Sequence, residues 1–392
     1  MPAGLRKTDM ETTVQPRLPS LTSLRFLAAL HVVMFHLHAL KIYEGSGWYH
    51  RTALIGYVGV SLFYVLSGFI LVYTYGGREL NVGKFWRARF ARIYPAYLFS
   101  LLLTAPGFFY VCIALKNIDI PIWTWCKNHL LATSALVPTL LQSWVPGAAL
   151  GWNPPAWSLS DEAFFYLLFP LIVAWLVGSR NRKLVTYILM FWAVSLAFTS
   201  AYVLLRPDGV AYTNDDSALK WLNVLKFNPL LRLPEFLMGA CCGFLFLRKP
   251  VDRKWATPLV LAGLLAFFLV VGLSPRIPYP ILHDSLLAPA FAAIIFGLAL
   301  RPRWSAVMEI PPLVLLGEAS YSLYLLHSFV LNVYFMPMGV LRQMSPLKFA
   351  IGLALPIVVS VLVYKILEQP ARNWLRPKSR QPADATSVAM TA

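Results

Sequence analysis

Charged side chains are scarce in this chain. Asp, Glu, Lys and Arg make up 13% of its 392 residues, against 58% hydrophobic residues. A soluble domain of this length carries about twice that share of charge, so the composition argues against a soluble globular fold. Cysteine is also scarce, and its spacing matches neither a metal site nor an obvious disulfide framework. The four cysteines are Cys112, Cys126, Cys241 and Cys242.

Long apolar runs recur along the whole sequence, many of about 17 residues or more, which is enough to cross a bilayer as a helix. The alternating pattern of a β-barrel is absent. The sequence therefore predicts an all-α, polytopic membrane protein with about ten transmembrane helices around a central polar cavity. The expected spans are about 21–41, 53–75, 94–115, 160–177, 184–205, 230–247, 255–273, 284–300, 312–336 and 348–368.

The net charge of +17 does not indicate nucleic acid, because the basic residues lie in short loops between apolar runs, as topology determinants do. The basic stretches 78–92 and 179–183 are both expected in the cytoplasm. An even number of spans must separate them, and 94–115 and 160–177 suffice. The weaker apolar stretch at 123–145 is therefore predicted to be re-entrant or interfacial on the outer side.

This scheme places the protein in the cell (inner) membrane with both termini in the cytoplasm. Residues 1–20 are expected to form a cytoplasmic tail, 21–375 the transmembrane domain, and 376–392 a disordered cytoplasmic tail, because the last residues are small and polar.

Arg25 and His36 are the most informative pair of residues, because both lie in the first apolar run. Eleven helical steps amount to about 1100°, only about 20° more than three full turns, so both side chains share one face. They are then roughly 16 Å apart along the helix axis. Ionisable residues inside a membrane usually face a cavity and usually serve function.

Other polar residues are expected at the depth of His36. Glu162 lies in the first turn of the fourth span, where it either complements the start of the helix or orients the His36 imidazole. His327, in the ninth span, is either a buried hydrogen-bonding residue or part of the same site, with Tyr324 near its face. A separate pair is expected between Arg232 and Glu235 at the outer end of the sixth span.

Arg89 and Arg92 lie three residues apart on the cytoplasmic side, so one helical face presents two guanidinium groups. Such forks suit phosphate groups. The two residues are either topology signals or a docking site for a phosphorylated cytoplasmic donor. In the second span, Gly68 and its neighbouring small residues permit a close helix approach or line a passage. The sequence Gly239–Gly243 is a GxxxG packing face.

Taken together, these motifs resemble the acyltransferase 3 family over roughly residues 20–375. Six motifs agree in order, and each alone would be weak. They are R-x10-H at Arg25 and His36, G-x-x-G-V-x-x-F-x-V-L-S-G-F at Gly56 to Phe69, R-x-x-R-I-x-P at Arg89 to Pro95, W-S-L-x-x-E at Trp157 to Glu162, Y-S-L-Y-L-x-H at Tyr321 to His327, and E-x-P at Glu368 to Pro370.

The resemblance implies a transmembrane domain of about ten helices that moves acyl groups, most often acetyl from acetyl-CoA, onto hydroxyls of carbohydrates or small molecules. It also implies that Arg25, His36 and Glu162 are the essential residues. One position departs from the pattern. Many relatives have Asp after the Gly-Val pair of the second helix, where this chain has Ser61, and a hydroxyl cannot replace a carboxylate charge.

On this reading, acyl-CoA enters from the cytoplasm as donor substrate, with its phosphates at Arg89 and Arg92 and with Arg25 deeper. His36 either deprotonates the acceptor hydroxyl or is itself acylated. Trp157 is expected to stack on a sugar face of the acceptor. The other residues expected to line the acceptor side of the cavity are Ser158, Tyr324 and His327.

No bound cofactor, no metal and no nucleic acid are expected. The expected partners are acyl-CoA, a carbohydrate, glycolipid or small-molecule acceptor, and the bilayer. The sequence leaves the oligomeric state open. Two alternatives remain: a proton-coupled transporter or flippase that uses Arg25, His36 and Glu162 as a proton relay, and a membrane scaffold without catalysis.

Overall fold

The computed structural model describes residues 15–39, 47–118, 120–248, 251–335 and 346–375. Within these ranges the regular secondary structure is helical, which confirms the all-α prediction. The tail predicted at 376–392 lies outside the described residues, as do the first 14 residues of the N-terminal tail.

Seventeen α-helices follow one another along the described chain. The first nine are α1 Pro19–Ala39, α2 Gly47–Leu54, α3 Gly59–Tyr75, α4 Val82–Ile113, α5 Thr124–Asn128, α6 Leu130–Leu136, α7 Trp157–Val177, α8 Asn181–Leu205 and α9 Lys220–Phe227. The others are α10 Pro229–Arg248, α11 Ala256–Leu273, α12 Tyr279–His283, α13 Ala288–Ala299, α14 Pro311–Glu318, α15 Ser320–Phe335, α16 Pro346–Val363 and α17 Gln369–Leu375. A π-helical turn, Tyr364–Glu368, joins the last two.

Nine helical stretches in the described part of the chain are long and apolar enough to cross a membrane, and α14 with α15 would make a tenth. These ten coincide with the ten expected spans to within a few residues at most ends. The main exceptions are longer helices at α4, at α9–α10 and at α16–α17. The protein is therefore an integral membrane protein with a polytopic helical fold.

Helix α4 is longer than predicted, because the basic stretch and the third span form one helix of 32 residues. The Asn81 side chain accepts a hydrogen bond from the Lys84 amide at 2.9 Å and so caps the start of this helix. A helix of this length spans about 48 Å, more than the ~30 Å of hydrocarbon. Its N-terminal turns, which carry Arg89 and Arg92, can therefore extend beyond the apolar layer.

The ninth span is not the straight helix that the apolar run at 312–336 predicts. Helices α14 and α15 are bent by 65° relative to each other at Ala319. No proline marks this break in the sequence. The Ser320 hydroxyl donates to the Gly317 carbonyl oxygen at 2.7 Å and so satisfies a backbone acceptor at the bend.

The chain between α4 and α7 forms short helical pieces, none of which is long enough to cross a membrane. The stretch at 123–145 is therefore no full span, as the charge argument predicts. Its hydrogen bonds tie it to the bundle: the Ser143 hydroxyl donates to the Trp157 carbonyl at 2.7 Å, and the Tyr97 hydroxyl donates to the Val137 carbonyl at 2.5 Å.

Helices α3 and α10 pack most closely where glycine removes a side chain. A Cβ atom at Gly239 would lie 1.9 Å from the Val65 carbonyl oxygen, and one at Gly68 would lie 2.1 Å from the Phe236 carbonyl oxygen. Both distances are far below van der Waals contact, so the two backbones touch directly. This confirms the predicted packing face at Gly239–Gly243.

We expect Gly239→Ala to destabilise the protein, because the added methyl group meets backbone rather than a movable side chain. Overpacking of this kind costs about 1–3 kcal/mol. The matched control is Gly107→Ala, since a Cβ at Gly107 meets nothing within 4 Å. Thermal unfolding in detergent should show a lower midpoint for Gly239→Ala alone. Equal midpoints would contradict the direct backbone contact.

Candidate active site

The His36 and His327 side chains meet in the interior of the bundle. Helix α1, which carries Arg25 and His36, packs against α3, α14 and α15. His327 Nε2 lies 3.2 Å from His36 Nδ1, and the ring centroids are 4.7 Å apart at an angle of 68°. His327 is fully buried. The structure thus brings together two residues that are 291 positions apart in the sequence.

The backbone determines which nitrogen of each ring carries the proton. His327 Nδ1 lies 2.8 Å from the Tyr324 carbonyl oxygen and 3.1 Å from that of Leu323. Carbonyl oxygens only accept, so this Nδ1 is a donor, and in the neutral ring Nε2 must accept. His36 Nδ1 lies 2.9 Å from the Val32 carbonyl and donates to it and to His327. In the neutral ring, His36 Nε2 then carries the lone pair.

Helix α15 supplies more of the site than His327 alone, because each polar side chain of its Y-S-L-Y-L-x-H motif contacts another part of the bundle. The contacts are the Tyr321 hydroxyl to the Ile93 carbonyl (2.8 Å), the Ser322 hydroxyl to Glu368 Oε2 (2.7 Å), the Ser158 hydroxyl to the Tyr324 hydroxyl (2.8 Å), and His327 to His36. Each polar residue of the motif therefore forms a hydrogen bond that connects α15 to another part of the bundle.

Glu162 does not contact His36 in the described structure, contrary to prediction. Its carboxylate accepts a hydrogen bond from the Tyr166 hydroxyl at 3.3 Å. The cations that act on it are Arg25, Arg92 and Arg89, with Arg25 the strongest. The sequence shows where Glu162 lies along α7 but not how α7 is placed against α1. The position expected for Glu162, beside His36, is occupied by His327.

Arg25 and Glu162 line a small cavity of about 30 Å³ together with Ser158, Tyr321 and Tyr324. This volume is comparable to one water molecule's share of the liquid. The cavity lies between the arginines of α4 and the histidine pair, because Arg25 interacts with Arg92 and Glu162 while Tyr324 neighbours His327.

The two arginines of α4 have different partners. Arg92 forms an ion pair with Glu368 at 3.0 Å, and that carboxylate is buried and also bonded to Ser322. Arg89 lies over the rings of Tyr75, Phe85 and Tyr166, each at about 6 Å. Its Nη2 donates to the Tyr75 hydroxyl at 3.5 Å, and among the described residues its buried Nε has no hydrogen-bond partner. Arg89 therefore has an unused N–H donor, whereas the charge of Arg92 is balanced by Glu368.

These residues form a continuous series through the bundle, which we call the polar column. From α4 to the C-terminal half of α1 its members are Arg89, Arg92, Glu162, Arg25, Tyr324, His327 and His36. All seven were predicted as site residues. Arg25, His36 and Glu162 were expected to be catalytic, Arg89 and Arg92 to bind the donor, and Tyr324 and His327 to line the acceptor side of the cavity. The structure places all seven in one series.

Trp157 is not placed as predicted. Its ring is only 7% exposed and packs on Phe227, with centroids 4.9 Å apart, and on Tyr64, with centroids 6.5 Å apart. The Arg232 guanidinium lies 6.0 Å from the ring centroid. This ring is enclosed by protein, so it is not open for stacking on a sugar.

A buried ionic cluster around Arg232 was only partly anticipated. Arg232 pairs with Glu235 at 3.0 Å, as the spacing predicts, and also with Asp284. It donates to the Ser61 hydroxyl at 3.2 Å, at the position where the family pattern has a carboxylate. Asp284 belongs to no motif, so its pairing could not be found from the sequence.

Comparison with known proteins identifies the family. The model of an acyltransferase domain matches residues 18–365, which is most of the chain. The protein belongs to the acyltransferase 3 family, as its motifs suggested.

Two relatives illustrate the range of this similarity. The chain is 33% identical to the acyltransferase MdmB of Streptomyces mycarofaciens, over 95% of this chain and 97% of that protein. It is 25% identical to the O-acetyltransferase OatA of Staphylococcus aureus, over 93% of this chain but only 59% of OatA. No solved structure matches the chain.

We expect His327 to position His36, so His327→Phe should lower kcat while leaving the KM for the donor unchanged. A lost hydrogen bond of about 1 kcal/mol corresponds to a five- to tenfold effect. In His327→Gln the amide oxygen can still accept from His36, so this variant should recover part of the rate. Steady-state kinetics would check both, and equal rates for the two variants would contradict a positioning role.

Proposed function

We propose that the protein is a membrane O-acyltransferase. It transfers a short acyl group, acetyl, from cytoplasmic acyl-CoA to a hydroxyl of a carbohydrate, glycolipid or small-molecule acceptor. The relatives support this proposal: one is named an acyltransferase and the other an O-acetyltransferase. The observation that carries it is the 3.2 Å contact between His36 Nδ1 and His327 Nε2 inside a membrane bundle, which leaves His36 Nε2 as the basic nitrogen at one end of a series of cationic residues.

His36 can act in either of two ways. As a base, Nε2 takes the proton of the acceptor hydroxyl while the oxygen attacks the thioester carbonyl. The tetrahedral adduct then collapses, the C–S bond breaks, and the CoA thiolate receives the proton. As a nucleophile, Nε2 attacks the carbonyl itself, and the C–S bond breaks to release the CoA thiolate. The acceptor oxygen then attacks the acyl group, the N–C bond breaks, and the hydroxyl proton passes to the thiolate.

His327 assists both routes through the same hydrogen bond. When Nε2 of His36 gains a proton or an acyl group, the ring becomes positively charged. Its Nδ1–H then donates more strongly to the Val32 carbonyl and to His327 Nε2, because charge-assisted hydrogen bonds are about twice as strong as neutral ones. The histidine pair thus takes the orienting role that the sequence suggested for Glu162.

The cationic end of the polar column suits the donor. CoA carries phosphate groups, and an arginine fork binds phosphate well. Arg89 offers an unpaired buried Nε, whereas the charge of Arg92 is balanced by Glu368. Arg25 lies about three helical turns from His36, so we assign it to the donor rather than to the reacting carbonyl.

The small cavity at Arg25 and Glu162 favours a short acyl chain. Its volume is close to that of one water molecule, so the passage of a long acyl chain would require the surrounding helices to separate. An acetyl group requires the least rearrangement.

We expect His36→Ala to lower acetyl transfer at least about 100-fold, the usual effect of removing a general base. The assay uses purified protein in nanodiscs, labelled acetyl-CoA, and a panel of glycosides, glycolipids and small alcohols. His31→Ala, which removes another histidine from α1, controls for structural loss. Transfer by His36→Ala at the wild-type rate would remove His36 from the mechanism.

The same assay distinguishes an acyltransferase from a transporter, a flippase or a membrane scaffold. Label on the acceptor supports the acyltransferase. Movement of an unlabelled acceptor across the bilayer without transfer would favour a transporter or flippase, and neither result would favour a scaffold.

We expect Arg89→Gln to raise the KM for acetyl-CoA about tenfold without changing kcat, since one charged hydrogen bond is worth about 1.5–3 kcal/mol. Lys84→Gln, an exposed substitution on the same helix, is the matched control. Arg92→Gln should instead also lower the yield of folded protein, because it leaves the buried Glu368 charge unpaired. An unchanged KM in Arg89→Gln would exclude this residue from donor binding.

A further inference from the structure

A second cavity, of about 560 Å³, lies apart from the polar column. Its walls come from two connections that are distant in sequence, one between α4 and α7 and the other between α8 and α10. The charge distribution predicts both connections on the outer side of the membrane. The volume falls in the range of about 300–1,000 Å³ that is usual for small-molecule sites.

One wall of this cavity, which we call the outer pocket, is aromatic. The rings of Trp125 and His129 are stacked, with centroids 4.4 Å apart and planes within 14° of each other. His129 Nδ1 donates to the Trp125 carbonyl at 3.0 Å, which fixes the imidazole against the indole. A fixed pair of flat rings offers an apolar face at little cost in conformational entropy.

The opposite wall of the outer pocket is polar. Asp215 and Asp216 supply carboxylates, Asn223 supplies an amide, and Lys226 lines the cavity while being only 5% exposed. A lysine ammonium has three N–H donors. In the part of the chain that the structure describes, the hydrogen bond of this ammonium is to the Asp215 carbonyl oxygen at 3.4 Å. The same ammonium also lies 5.0 Å from the Phe227 ring centroid and 5.4 Å from that of Tyr279.

The charges in the outer pocket are mixed. Asp215, Asp216, Lys220 and Lys226 all line it, so neither sign prevails. A phosphate or a polycation would meet repulsion from one of the two pairs. Carboxylates, amides and an ammonium group beside a flat ring suit a neutral molecule with many hydroxyls and one apolar face. A glycosyl unit has both.

Ring contacts connect the outer pocket to His36. The Lys226 ammonium lies 5.4 Å from the Tyr279 ring centroid, and the remaining contacts join aromatic rings. The centroid distances are 5.3 Å from Tyr279 to Tyr57, 5.4 Å from Tyr57 to Phe35 and 5.1 Å from Phe35 to His36. The Tyr279, Tyr57 and Phe35 side chains therefore lie between the outer pocket and the imidazole.

We propose that the outer pocket binds a glycosyl unit of the acceptor, with Trp125 and His129 against the sugar face and Asp215 and Asn223 on its hydroxyls. This inference rests on the proposed function, because the acceptor is defined by the transfer reaction. It moves the acceptor site from Trp157, whose ring is enclosed, to a surface on the opposite side of the histidine pair from the donor arginines.

Saturation-transfer NMR on the full chain in nanodiscs tests the proposal. The probes are the methyl β-glycosides of glucose, galactose and N-acetylglucosamine. Wild type should transfer saturation to at least one of them, and Trp125→Ala and Asp215→Asn should each reduce the signal at least fivefold. Trp221→Ala is the control, since this tryptophan is 48% exposed, belongs to the same connection as Asp215 and does not line the pocket.

The near-isosteric Asp215→Asn keeps the test valid if Trp125→Ala fails to fold. No transfer to any glycoside in the wild type would overturn the proposal, as would equal signals in wild type and both pocket variants. Measuring acetyl transfer on the same preparations separates the two hypotheses. If glycoside binding depends on the pocket residues but no acetyl is transferred, the outer pocket is supported and the acyltransferase proposal is contradicted. If acetyl is transferred but glycoside binding does not depend on the pocket residues, the acyltransferase is supported and the outer pocket is contradicted.

Discussion

The hydrogen bond between His36 and His327 is the interaction on which the proposed chemistry depends. Two backbone carbonyls hold the proton on His327 Nδ1, so its Nε2 can only accept while the ring is neutral. His36 must then donate from Nδ1, which leaves Nε2 basic. The tautomer of the reactive residue is thus determined by the backbone of another helix. No carboxylate is needed for this, which is consistent with the position of Glu162 beside Arg25.

Helix α15 makes this arrangement rigid. Its tyrosine, serine and histidine side chains bond to α1, α4, α7 and the π-helical turn before α17. In a bilayer an unpaired polar group finds no water, so each of these contacts is costly to lose. The π-helical turn ends at Glu368, which bonds to both Arg92 and Ser322. The E-x-P motif therefore links Arg92 of α4 to α15.

The fold was predictable because hydrophobic length and loop charge act locally: they correctly indicated ten apolar segments and a non-spanning stretch at 123–145. The shared face of Arg25 and His36 was predictable for the same reason. Contacts between helices were harder. Nothing in the sequence shows that α7 places Glu162 beside Arg25, that Trp157 is enclosed, or that Asp284 reaches Arg232. These depend on helix rotation and depth, which the packing of Gly68 and Gly239 helps to set.

In the proposed reaction, the order of groups along the molecule gives the two substrates different routes. Arginines lie at the α4 end of the column, the histidine pair follows, and the rings of Phe35, Tyr57 and Tyr279 lie between that pair and the outer pocket. We propose that the anionic acyl-CoA is attracted to the arginines, whereas a neutral, hydroxyl-rich acceptor binds in the outer pocket. In that arrangement the acyl group and the hydroxyl approach His36 from opposite sides and do not compete for one entrance.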